Sequence, residues 1–345
     1  MGIARFLIVG FLAATAISLP SNGGVAPAWA AGESQSPALG LPIACRLGET
    51  CWLVNLVDLD AGPGVRDFTC GAHSYNGHTG VDIAIRDYSK MDDGVAVVAA
   101  AAGTVTRVRD GMLDGDVSKT GHGAVSGRGC GNAVFMDHGN GWHTNYCHLR
   151  RNSLVVRPGQ RIAQGDKLGL VGSSGLAEFP HIHMGVRFNR KVVDPFIGLD
   201  RKADCGPGLR PLWDDRTLAG FGGGMTALYD AGFSPVKVNA DALRRGFYRD
   251  AVLSAKSDGL IFWVDAFWVH DGDKLTLKIT APDGRVMASE TDALKKTQAR
   301  YMKFIGKRRT VDWKHGLYRG EAELIRQGAG GQAKVFKIER QVEIK

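Results

Sequence analysis

The sequence lacks the spacings that would give its chemistry the simplest explanation. No Cys-x-x-Cys occurs among its six cysteines, which excludes the usual cysteine-rich structural zinc and a thioredoxin-like dithiol. There is no His-Glu-x-x-His, so a helix-borne zinc site with a glutamate base is excluded as well. Neither zinc-finger spacing nor a helix-turn-helix pattern is present, and the net charge of +8 is therefore no argument for nucleic acid by itself. The composition has no bias toward disorder or a coiled coil. The one long apolar run, Phe6 to Leu19, is shorter than the ~20 residues that a membrane span needs. Residues 71–195 carry no long helical period.

The N-terminus has the layout of a secretory signal. Arg5 supplies the positive region, Phe6 to Leu19 the apolar region, and Ala28-Trp29-Ala30 before Ala31 an A-x-A cleavage site. A signal peptide over 1–30 is expected, with an uncleaved anchor as the alternative. No cysteine lies near the cleavage site, which argues against a lipoprotein. Export would place the mature chain in the periplasm or outside the cell. The cysteines fit that compartment: Cys45, Cys51, Cys70, Cys130, Cys147 and Cys205 are even in number and should pair where conditions are oxidising. Connectivity is not deducible from spacing. Cys130 with Cys147 is the favoured pair, because the two flank an expected hairpin.

Composition shifts along the chain suggest its organisation. Residues 31–70 read as an N-terminal arm, 71–205 as a Gly-punctuated block of short strands, 206–240 as a linker, and 241–345 as a second β domain. In the first block, Val95 to Ala99, Gly103 to Val108, Asn132 to Asp137, Trp142 to His148, Lys167 to Val171 and His181 to Phe188 are strand-like. In the second, six or seven strands follow Asp241, with Pro282-Asp283-Gly284 as a turn. The expected fold class is all-β: a small antiparallel β-sheet domain followed by an immunoglobulin-like β-sandwich.

Two short motifs carry metal chemistry. Gly77-His78-Thr79-Gly80-Val81-Asp82 offers an imidazole and a carboxylate, and Pro180-His181-Ile182-His183 offers two imidazoles. Two imidazoles and a carboxylate form a donor set suited to Zn²⁺ with a fourth position left open. On a strand, His181 and His183 point to the same face. One can bind a metal while the other stands beside it. The same periodicity places Thr144, Tyr146 and His148 on one face of Trp142 to Leu149 and His143 on the other.

Taken in order, these pieces resemble the lysostaphin-type (LytM-type) zinc metallopeptidases. The resemblance spans about residues 71–196. Besides the two motifs it includes Val95 to Ala99, Gly131 to Gly139, Tyr146-Cys147-His148-Leu149, Arg157-Pro158-Gly159-Gln160 and Gly169 to Gly175. It implies a small antiparallel β domain with its site in a groove. His78, Asp82 and His183 would be the metal ligands, Zn²⁺ the cofactor, and His148 and His181 the catalytic histidines. Tyr75 and Tyr146 would contact substrate. The implied activity is hydrolysis of peptide bonds in peptidoglycan stems or cross-links. The alternative is a catalytically silent wall-binding or amidase-activating module on the same fold. Peptidoglycan peptides are the expected partner, nucleic acid is not expected, and the C-terminal domain is a candidate surface for an envelope protein. The oligomeric state is left open. One departure from the family pattern is Gly185, where an acidic residue often stands two positions after the last ligand.

Overall fold

Short stretches of alternating apolar residues, cut by glycine turns, build sheets wherever their apolar face finds a partner. The computed structural model describes residues 1–2, 36–249, 251–328 and 330–345. The expected signal peptide lies outside them, except for its first two residues. The chain is mostly β. Ten strands precede residue 200: β1 (Cys51–Asn55), β2 (Val81–Ile85), β3 (Ala96–Val98), β4 (Gly103–Arg109), β5 (Asn132–Gly139), β6 (Trp142–Leu149), β7 (Arg161–Ile162), β8 (Lys167–Leu170), β9 (His181–Phe188) and β10 (Lys191–Val192). Seven follow: β11 (Ala227–Ser234), β12 (Gly259–Val269), β13 (Lys274–Thr280), β14 (Val286–Ala293), β15 (Gln298–Arg308), β16 (Gly316–Gln327) and β17 (Ala333–Ile344). Helices are short, and no described helix is long and apolar enough to cross a membrane.

The first sheet runs β1-β2-β9-β6-β5-β4-β7, with β10 added to β9 and a separate β3-β8 ribbon. The pairs of this sheet are antiparallel. β2 is buried throughout and β9 along its first six residues. One face packs on a core that includes Ile83, Met136, Tyr146, Ile182 and Met184, which leaves the other face for the histidines. The disulfides are Cys45–Cys51, Cys70–Cys205 and Cys130–Cys147.

Two expected boundaries need correction. Residues 31–70 are not a detached arm from residue 36 onward: Leu39 and Ile43 are core residues, and β1 is a strand of the main sheet paired with β2. Nor is 206–240 a linker. Leu212 and Trp213 are buried in the first core, and β11 pairs with β12. The Gly-rich run 220–224 and the low strand propensity of Asp230, Ala231 and Gly232 hid that strand. The C-terminal domain therefore begins near Ala227 and not at 241. It is a β-sandwich of a three-stranded sheet (β11-β12-β15) and a four-stranded sheet (β14-β13-β16-β17). Alternating burial along β13 and β16 feeds its core.

An aromatic seam joins the two halves. Trp52, Val54 and Ala84 of the first sheet pack on Tyr229, Phe267 and Trp268 of the sandwich. Trp268 Nε1 donates to the Val54 carbonyl, and Arg249 Nη2 donates to both oxygens of Asp87 at 2.7 and 2.9 Å. Removing a buried indole from such a seam typically costs about 3–5 kcal/mol. Trp268→Ala should lower stability by that order in chemical denaturation. It should also separate the unfolding of the two halves, read by tryptophan fluorescence against far-UV circular dichroism.

Candidate metal centre and its groove

Antiparallel pairing of β2 with β9 sets Asp82 directly opposite His183, and Ala84 opposite His181. Directly opposed residues share a face, so the carboxylate and both imidazoles of β9 emerge on the side away from the core. His78 arrives from the turn before β2. Its Nε2 lies 3.1 Å from Asp82 Oδ1 and 3.0 Å from His183 Nδ1, and His183 Nδ1 lies 2.9 Å from Asp82 Oδ1. A tetrahedral ion with ligands at about 2.0–2.1 Å needs donors roughly 3.3 Å apart, close to this spacing. His78, Asp82 and His183 are all buried and could together hold a metal ion.

The surrounding hydrogen bonds fix which atoms face inward. His78 Nδ1 donates to the Leu56 carbonyl at 2.6 Å, so its Nε2 presents a lone pair. Asn55 Nδ2 donates to Asp82 Oδ2 at 2.9 Å, leaving Oδ1 toward the imidazoles. Three lone-pair donors thus converge in a buried spot, an arrangement that repels itself unless a cation or proton sits among them. Burial opposes ionisation of Asp82, but His78, His181 and the hydrogen bond from His183 hold its carboxyl well below the usual range. Burial likewise opposes the His78 imidazolium, yet Asp82 outweighs it and raises that group. Burial lowers His183 despite its bond to Asp82.

Two more imidazoles stand beside the cluster. His181 Nδ1 bonds the Phe179 carbonyl at 2.8 Å, and His148 Nδ1 bonds the Ser174 carbonyl at 2.7 Å. Each is left with Nε2 unassigned to the backbone. Their ring centroids are 4.6 Å apart, and that of His148 is 5.9 Å from that of His183. Burial, with His181 and His183 adding to it, pushes His148 well below an ordinary histidine.

His148 reaches this face by breaking the strand period. Asn132 pairs with Leu149 and Val134 with Tyr146, so Cys147 and His148 together oppose Ala133 in a bulge. His148 has φ 61°, in the left-handed region. The expectation that Tyr146 and His148 share a face is therefore overturned. Tyr146 is fully buried on the core side, where its hydroxyl accepts from the Ala100 N–H at 2.8 Å and bonds Thr144. It does not line the groove. Tyr75 does: it is half-exposed, with its ring centroid 4.4 Å from that of His78.

Sequence reasoning missed the supports: Asn55, and the carbonyls of Leu56, Phe179 and Ser174. A carbonyl leaves no signature in a side-chain pattern, and Asn55 lies in the stretch read as an arm. It also passed over Gly80. A Cβ there would lie 2.6 Å from His183 Nε2 and 2.6 Å from the Met184 carbonyl, so the glycine is what lets the imidazole seat.

The cluster opens on a groove of about 900 Å³ across β9, β6, β5 and β4. A second recess of about 720 Å³, reaching Asp82 and His181, has its far wall in the sandwich, with Arg244, Phe267 and Arg300. Arg300 lies over the Phe179 ring at 4.9 Å, and that ring lies 4.9 Å from His181.

A buried two-histidine, one-carboxylate cluster in the groove of an antiparallel sheet fits a metallohydrolase. Residues 76–195 match Peptidase family M23. It is similar to an "Uncharacterized metalloprotease" of Haemophilus influenzae, 30% identical over 118 residues, which are 34% of this chain and 20% of that protein. It is also similar to "Peptidoglycan DD-endopeptidase ShyA" of Vibrio cholerae, 40% identical over 53 residues, 15% of this chain and 12% of that one. Among solved structures, the catalytic domain of the prophage-encoded M23 protein EnpA from Enterococcus faecalis aligns at 20% identity with a TM-score of 0.30, covering 46% of this chain and 94% of its own. This chain thus spans a fifth or less of the length of these two relatives.

Gly80→Ala should displace the His183 ring and weaken metal uptake at least tenfold, with far-UV circular dichroism unchanged. Metal titration against a chromophoric chelator reads the outcome.

Proposed function

We propose that the protein is an exported zinc endopeptidase that cleaves peptide bonds in peptidoglycan, in stems or cross-links. One observation carries this reading: three lone-pair donors from His78, Asp82 and His183 converge at 2.9–3.1 Å in a groove, with two further imidazoles alongside. The M23 match and the names of the relatives support the reaction class and the substrate. The nitrogen and oxygen donor set suits zinc, and a three-ligand set suits a catalytic ion more than a structural one. His78 Nε2, Asp82 Oδ1 and His183 Nδ1 would hold it. When bound, such an ion supplies Lewis acidity toward a carbonyl oxygen and brings the ionisation of water toward neutral pH.

The remaining work falls to the chain itself. Hydrolysis must take a proton from water and deliver one to the leaving amide nitrogen, which departs poorly as an anion. His148 and His181 are assigned that transfer. The depressed His148 is neutral at neutral pH and can accept a proton at Nε2. Carbonyl bonds at both Nδ1 atoms keep the rings from turning away. Tyr75 is assigned to substrate, where its phenol can donate to the polarised carbonyl oxygen. The signal peptide is part of the proposal, and the three disulfides support an oxidising compartment. An envelope partner, if recruited, is assigned to the sandwich.

His181→Ala should retain zinc and lose hydrolysis of purified sacculi by ~10²–10⁴-fold. His78→Ala should lose both. Metal analysis beside a sacculus-release assay separates the two, and full activity in either variant would refute the assignment. Acid should also strip the metal. The raised His78 must lose its proton to become a ligand, so affinity should fall as pH drops through that raised value. The expected slope is up to about tenfold per pH unit for each proton displaced. Zinc titrations at three pH values check it.

A further inference from the structure

The groove beyond the metal cluster carries fixed charge of one sign only. Arg107, His143, Arg187 and Arg190 line it, and among the described residues no Asp or Glu does. The strand registers explain how they meet. Asn145 stands opposite Gly185 and Phe135, and Phe135 opposite Arg107. His143 stands opposite Arg187 and Asp137. These rows lie two and four residues along β9 from His183, so they share its face.

None of the three arginines has a carboxylate partner among the described residues. Arg107 lies over the Phe135 ring at 4.1 Å, which orients its guanidinium while leaving its N–H groups free of acid. Arg187 gives one N–H to the Arg190 carbonyl at 3.2 Å. The one carboxylate of these rows, Asp137, lies 4.0 Å from His143 and accepts from the Gly139 N–H at 2.8 Å. Gly185 keeps the groove floor free of acid as well. A Cβ there would lie 2.5 Å from Asn145 Oδ1, so an acidic side chain at that position would collide with Asn145.

We propose that this arm of the groove binds free carboxylates of the substrate peptide, with Arg107 and Arg187 as specificity-determining residues. The inference rests on the endopeptidase reading above and narrows it: the substrate is a carboxylate-bearing stem peptide, and an uncharged glycine bridge is disfavoured. Arg187 lies four residues from His183 on one strand, ~13 Å at about 3.3 Å per residue. That is the reach of roughly four extended substrate residues, so the carboxylate read there is several residues from the scissile bond. Two guanidiniums with no acid of their own supply charge-assisted, bidentate bonds that an amide cannot match.

The test uses the full zinc-loaded chain and three substrates: a muropeptide dimer with free carboxylates, the same dimer with its carboxylates amidated, and an oligoglycine peptide. Amidation should raise KM about tenfold or more, and kcat should change less. In the Arg107→Gln/Arg187→Gln double variant the ratio of kcat/KM between native and amidated dimer should collapse toward one. Raising salt should weaken selection for the native dimer. Equal KM for native and amidated dimers in the wild type, or faster cleavage of oligoglycine, overturns the proposal. Calorimetry on the metal-stripped wild-type chain separates it from the activity it rests on. If no substrate is cut but the native dimer binds at least tenfold tighter than the amidated one, the activity reading fails and the carboxylate site stands. If neither cleavage nor selective binding is found, both fall.

Discussion

The antiparallel register between β2 and β9 is the constraint on which the site depends. It sets Asp82 against His183 and brings His181 to the same face two residues earlier. A slip of one residue between them would put Asp82 and the two histidines on opposite faces and turn the apolar side of the slipped strand out of the core. Burial of that apolar face enforces the register, so the hydrophobic core and the donor cluster are two sides of one pairing. The supports follow the same logic. β1 docks on the outer edge of β2 and delivers Asn55 and the Leu56 carbonyl to Asp82 and His78.

Much of this was legible from residue order. The strands after Asp241 fall close to where alternation and the Pro282 turn put them, because one face of each sheet of a sandwich must be apolar. The paired motifs around His78 and His181 also stood out, since glycine-flanked polar residues inside strand-like segments have little reason to exist in a core. What escaped is equally specific. The bulge at Cys147 and His148 replaces a regular period with a left-handed residue, and periodicity cannot announce its own interruption. It moved Tyr146 from the groove to the core. β11 was hidden by Asp230 and Gly232, whose place in a strand is decided by neighbours: Gly232 lies under the Trp263 ring.

The sandwich does more than follow the first sheet. Its Phe267 and Arg300 form the far wall of the recess that reaches His181, and Arg300 is held by Tyr229 at 2.8 Å above the buried Asp265. The stack of Arg300 on Phe179 bears on the loop whose carbonyl orients His181. Geometry at the site is thus shared between the two halves of the chain, which gives the aromatic seam between them a reason beyond stability.

The Cys70–Cys205 bond joins residues 135 apart in sequence and brackets β2 through β10. The donor cluster of His78, Asp82 and His183 and the flanking His148 and His181 all lie inside that closed ring. A single backbone cut on an exposed loop, such as the stretch between β4 and β5, would therefore yield two pieces that stay one covalent molecule. Such a clasp lets a nicked chain keep its halves in register instead of shedding them.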